Sequence, residues 1–173
     1  MDDRRVVAAQ LDREPRSVVD VVARCHLDLP TVIKVPPHLD DGTPFPTTYW
    51  LTCPLANRRI GRLEGAGGVK RAEAQLDSDP EFRAAFLQAM VRYESDRNEM
   101  IDASVSPYKP SGGVGGSRRG VKCLHAHYAD HAAGTANPVG AQTAASIEPL
   151  DCAMACTAVT DEGVVRNQGW VEP

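Results

Sequence analysis

SGGVGGSRRGVKCLHAHYADHAAGTANPVG, residues 111–140, concentrates glycine, arginine, cysteine and histidine more densely than any other part of the chain. It reads in three pieces. Residues 107–120 carry five glycines and read as a flexible loop. Residues 121–133 read as a helix, and Gly134 suits the left-handed position after its last turn. Asn137-Pro138 then turns the chain. The reactive side chains therefore sit where a loop becomes a helix.

Moving outward, the pattern stays helical upstream of the loop. Residues 80–101 form the clearest helix: Asp79 can cap it, Pro80 suits its first turn, and Glu81 complements the dipole. Phe82, Phe86, Ala89, Tyr93 and Met100 fall mostly on one stripe, with Arg83, Arg92, Asp96 and Arg97 away from it. Residues 55–63 and 69–76 read as two shorter helices. Before residue 54 the composition changes. Residues 17–23 (SVVDVVA), 31–35 (TVIKV) and 47–52 (TTYWLT) are rich in β-branched and aromatic residues and read as strands. Pro30 turns the first into the second, a hairpin, while the Pro/Asp/Gly stretch 36–46 is a structured loop.

Residues 3–11 share an apolar face at helical spacing, and Pro15 closes them off. Residues 149–159 form a last short helix or an irregular cover, and the tail beyond Asp161 has no strong pattern. The fold expected is α+β. A small, mainly antiparallel sheet of about three strands in the N-terminal third is covered by helices from the C-terminal two thirds. One domain spans 1–173, with 141–173 as an irregular extension.

The bulk numbers exclude some functions. With 19 Lys and Arg against 23 Asp and Glu, the net charge of −4 argues against broad nucleic-acid binding, which needs many phosphate contacts. The acidic start, MDDRR, is not a secretory signal, and no stretch is apolar for the length a bilayer demands. A cytoplasmic location follows. There thiols stay reduced, so the five cysteines read as ligands, catalytic groups or core fillers rather than disulfides.

Two arrangements of Cys and His can be drawn. On a helix from residue 121, Cys123, His127 and His131 share a face, and His125 points elsewhere. A zinc site needs about four thiolate or imidazole ligands in a tetrahedron. Cys25 and Cys53 each end an expected strand, and Cys123 with His125 at the helix start completes such a set, with His26 in reserve. Alternatively Cys123 is a nucleophile, its thiolate favoured by the helix dipole and by Lys122, Arg118 and Arg119. His125 or His127 then serves as base, oriented by a carboxylate such as Asp130. Buried, inert cysteines are the plain alternative. Cys152 and Cys156, four apart, suit one helix face as core, ligand or redox pair. Arg118, Arg119 and Lys122 beside the glycines form an anion-binding loop for a phosphate or carboxylate, and glycine content of this kind also suits a lid.

LTCP at 51–54, DGTPFPT at 41–47, RLE at 62–64, VKCLHA at 121–126 and NPVG at 137–140 together resemble the bacterial domain-of-unknown-function family 501. Arg24-Cys25 resembles the same family's early strand end. The likeness covers residues 14–140. It implies a small cytoplasmic protein, and a gene neighbourhood of a septum-formation initiator and an exopolyphosphatase-type phosphatase, hence a link to cell division or phosphate metabolism. Its motif positions include Cys25, Asp41, Phe45, Thr47, Glu64, Lys122, Cys123, His125 and Asn137, and leave out His127 and His131. The readings carried forward are a Cys/His-centred site binding zinc beside an anion loop, a cysteine-nucleophile enzyme acting on an anionic small molecule, and a non-catalytic partner of a division protein.

Overall fold

The computed structural model describes residues 2–173. Strands β1 (Asp20–Arg24), β2 (Pro30–Lys34) and β3 (Tyr49–Leu51) form an antiparallel sheet in the order β1-β2-β3. The central strand is buried from Pro30 to Ile33 because both its faces are covered. Helix α1 (Asp3–Leu11), capped by the Asp2 carboxylate, packs Val7 against Ile33 and Val35 on one face. Val32, Tyr49 and Leu51 join the main core, built with the later helices, on the other. Both β1 and β3 run opposite to β2, so their C-terminal ends, at Arg24 and Leu51, lie at the same end of the sheet.

Helices α2 (Pro54–Gly65), α3 (Gly68–Ser78) and α4 (Pro80–Glu99) follow. Asp79 caps α4 by accepting from the Glu81 and Phe82 N–H groups, and Pro80 opens it. Phe86, Ala89, Met90 and Tyr93 bury its inner stripe. Tyr93 Oη accepts the Thr48 N–H at 2.6 Å, which fixes the entry to β3. Arg97 belongs to this stripe as well, contrary to the sequence expectation. It is fully buried, and its guanidinium donates to the carbonyls of Gly112, Pro110 and Pro46. Such a charge is tolerated in the interior because these carbonyls, Asn98 Oδ1 and the Glu94 carboxylate at 3.5 Å surround its two terminal nitrogens.

Those contacts pin the middle of the stretch read as a flexible loop, while 107–109, 111, 118 and 119 are exposed. The segment closes into a 3-10 turn at Val114–Gly116, with residues 112–115 buried. Gly113 N–H donates to Ser117 O, and Ser117 N–H to Val114 O, so these amides are spent inside the turn. At Gly116 the backbone has φ +75°, and a Cβ would stand 2.8 Å from Pro46 Cγ. Glycine is there for close approach, not for motion.

Helix α5 (Leu124–Ala132) begins at Leu124, with 121–123 extended ahead of it. Asn137-Pro138, read above as a stop, instead starts helix α6 (Pro138–Ile147): the Asn137 side chain accepts the Gly140 N–H, and Pro138 fills the first turn. Gly140 lets α6 cross α5, since a Cβ there would collide with the His127 carbonyl. The last segment carries no third helix. Residues 150–156 are irregular, and β4 (Thr157–Thr160) pairs with β5 (Gly163–Arg166) as a hairpin. Arg166 ties it to α1 through the Ala9 and Gln10 carbonyls.

Candidate functional site

The start of α5 is held from two sides by carboxylates. Glu64, at the end of α2, accepts the Leu124 N–H at 2.5 Å, and Glu73 on α3 accepts the Val121 N–H. The first satisfies a donor that a helix start leaves free, and the second fixes the stretch of chain leading into it. Glu64 Oε1 also stands 3.3 Å from His125 Nδ1, while His125 Nε2 donates to Asn57 O at 3.2 Å. Both imidazole nitrogens are thus engaged. Lys122 reaches back to donate to Gly115 O at 3.0 Å.

Between α5, β3, the 45–47 segment and the Gly115 turn lies a pocket of about 240 Å³. Lys122, Cys123 and His125 supply its reactive groups, and Phe45, Tyr49 and Trp50 much of its apolar wall. Phe45 and Trp50 are stacked with centroids 5.2 Å apart, and the Arg13 guanidinium lies 4.8 Å from the Trp50 ring.

Cys123 is half-buried at the N-cap of α5. Burial pushes its thiol above the ordinary value and the Glu64 charge adds to this, outweighing Lys122 and the His125 and Ala126 N–H groups. The expected thiolate activation by dipole and cations is therefore reversed: desolvation exceeds both. Arg118 and Arg119 do not reach the pocket. Both are exposed, and Arg118 donates to the Ser111 hydroxyl.

The expected zinc quartet is divided between two places. Cys123 and His125 line this pocket, whereas Cys25 and Cys53 line a separate cavity at the end of the sheet, together with Cys152 and Cys156. Among the described residues no three His, Cys, Asp or Glu side chains are placed to hold a metal ion. The two strand-end cysteines do meet, but the helix start that was to complete the set packs elsewhere.

The alternative pairing of Cys123 with His127 is not made. His127 is fully buried on another face of α5, 5.6 Å from the Phe86 ring centroid, with Nδ1 3.0 Å from Asn137 Nδ2. Asn137 Nδ2 donates to Asp130 Oδ2, which also accepts from Arg92 at 2.5 Å. Burial pushes the His127 pKa down to about 4. This Arg92–Asp130–Asn137–His127 chain was not visible in the sequence, although an Asn-Pro after a helical segment signals a cap that a neighbouring helix can share.

A small α+β protein with a thiol, an imidazole and an amine around one aromatic-walled pocket is the class these features define. Residues 21–145 of the 173 match the family described as Protein of unknown function (DUF501), and the chain belongs to it. No curated protein and no solved structure matches the chain. Of the motifs that carry the family likeness, those at 41–47, 62–64 and 121–126 meet at this pocket and its support. No helix among the described residues is long and apolar enough to cross a membrane.

Proposed function

We propose that the protein binds an anionic small molecule with a flat apolar part in the pocket beside α5. One observation carries the reading: Lys122, Cys123 and His125 line a single metabolite-sized recess whose wall is aromatic. Lys122 has donors to spare beyond its bond to Gly115, and the imidazole of His125 is oriented by Asn57 and Glu64. A few fixed polar groups over an apolar wall are what orient a small ligand. Cys123 acts here as a soft, neutral contact, because its proton is held more firmly than in a free thiol.

The cysteine-nucleophile reading is the second, favoured by Cys123 and His125 lining the same pocket with Glu64 beside the imidazole. It is weaker because the His125 nitrogens face Asn57 O and Glu64, at 3.2 and 3.3 Å, and no hydrogen bond joins the imidazole to the thiol. Titration of the protein with benzoate and with phenyl phosphate, followed by calorimetry, separates the outcomes. Binding that weakens about tenfold in Lys122→Ala, or about 1.4 kcal/mol, supports the first reading. Absence of binding by either anion, or binding indifferent to Lys122→Ala and His125→Ala, rejects it.

A further inference from the structure

Four of the five cysteines line a second cavity, on the other side of Cys53 from that pocket. Cys25 follows β1, Cys53 caps α2 just after β3, and Cys152 and Cys156 come from the irregular segment before β4. All four line one cavity of about 20 Å³, closed over by Leu150, Met154 and Trp170. That volume admits one water-sized or ion-sized occupant and no metabolite. Among the described residues no carboxylate lines the cavity, which removes the ligands that calcium or magnesium require.

Within a mostly apolar lining, a few polar groups stand close to the sulfurs. Gln10 is buried and donates from Nε2 to Cys156 Sγ at 3.6 Å. The Leu55 and Ala56 N–H groups at the start of α2 favour the Cys53 thiolate. The Arg58 guanidinium stands 4.9 Å from the Trp170 ring. Two buried polar atoms on the cavity wall, Gln10 Oε1 and Trp170 Nε1, have no partner in the protein. Such orphans mark a place built to hold something polar.

We propose that Cys25, Cys53, Cys152 and Cys156 bind a single zinc(II) ion as thiolates, fastening the C-terminal segment to the end of the sheet. The four thiols release their protons to solvent as four metal–sulfur bonds form, and no electron is transferred. As the side chains stand, the sulfurs ring the cavity without converging on one point. Convergence needs rotation about the Cα–Cβ bonds between staggered positions, on a backbone held by His26 at the Cys152 carbonyl and by Asn167 at the Ala155 and Cys156 carbonyls. A thiophilic dication displaces thiol protons on binding, and a donor such as the Gln10 amide, already bonded to Cys156 Sγ, then holds the thiolate.

The test uses the full chain, purified without chelator and analysed for metals, then loaded with cobalt(II) after zinc removal. One zinc per chain is expected. So is the sulfur-to-cobalt charge-transfer absorption of a tetrahedral thiolate site. Cys152→Ser and Cys156→Ser each weaken zinc retention against a competing chelator by more than about tenfold, while Cys123→Ser does not change it. Should the serine variants fail to fold, alkylation of the wild type answers: chelator treatment adds four reactive thiols to those titrated in the zinc form. A chain without zinc or thiolate charge transfer overturns the proposal. So does zinc lost equally on Cys123→Ser, or conversion of the four thiols to disulfides by dilute hydrogen peroxide as readily in the presence of zinc as without it.

Discussion

Helix α5 sets two histidines two residues apart in opposite surroundings. His125 lines an open pocket with Lys122 and Cys123, whereas His127 is wholly buried against Phe86 and Asn137. The polar groups on the inner face are bonded to one another: Arg92 to Asp130, Asp130 to Asn137, Asn137 to His127. Those on the outer face are braced from behind by Glu64 and Asn57 and present themselves to the recess. The same short helix thus carries one set of groups buried in the fold and another that faces an open recess. Sequence spacing alone does not tell them apart.

The contrast predicts a graded series. Asp130→Ala removes the buried partner of Arg92 and Asn137 and should lower unfolding stability by about 4 kcal/mol, read from urea denaturation. A loss below 1 kcal/mol breaks the distinction between the faces. Next comes acid. His127 has its pKa depressed from 6.5 to about 4 in the folded chain. As pH falls from about 6.5 to 4, the unfolded chain takes up the proton and the folded chain does not. Stability therefore drops through this window, by about 3 kcal/mol at its foot. His127→Gln should flatten that part of the pH curve, and an unchanged slope would assign it to other groups.

Glu64→Ala frees the Leu124 N–H at the start of α5 and should cost about 1 kcal/mol, the usual worth of a helix cap. It should also loosen His125 and weaken anion binding. His125→Ala comes last: a stability change within about 0.5 kcal/mol, with the loss confined to binding of phenyl phosphate or benzoate. A large fall in stability there would make the outer face structural too.

Much of the architecture was legible because its signals are local. Asp79-Pro80 at the start of α4, the β-branched runs of the sheet, and Gly134 with φ +88° just after α5 all depend on near neighbours. Three features escaped for a different reason. Arg97 lies four residues after Tyr93 on the buried stripe, but a charged side chain looks exposed until the carbonyls of a distant loop arrive to meet it. Asn137-Pro138 serves equally as a turn or a helix start, and only the helical run after it decides. TAVT and GVVR around Asp161-Glu162 were short enough to pass as tail, although two β-branched runs about a turn are a hairpin signal.

The site divides along the same line. Where the thiols, imidazoles and cations lie along the chain is plain from the sequence; which of them share a pocket is not. Cys25 and Cys53 share an end of the sheet because β1 and β3 run the same way. Their companions are Cys152 and Cys156, from a segment nearly 100 residues after Cys53 with no periodic pattern to place it.

Arg97 stitches Pro46 and the 110–112 backbone to α4. Phe45 and Thr47 flank the first attachment, and Gly115 follows the second, so two adjoining parts of the wall hang from one guanidinium on a helix that supplies no lining residue. The gauge of the recess is thereby fixed from outside it. Natural variation along α4 would retune which molecules fit while every residue in contact with them stayed the same.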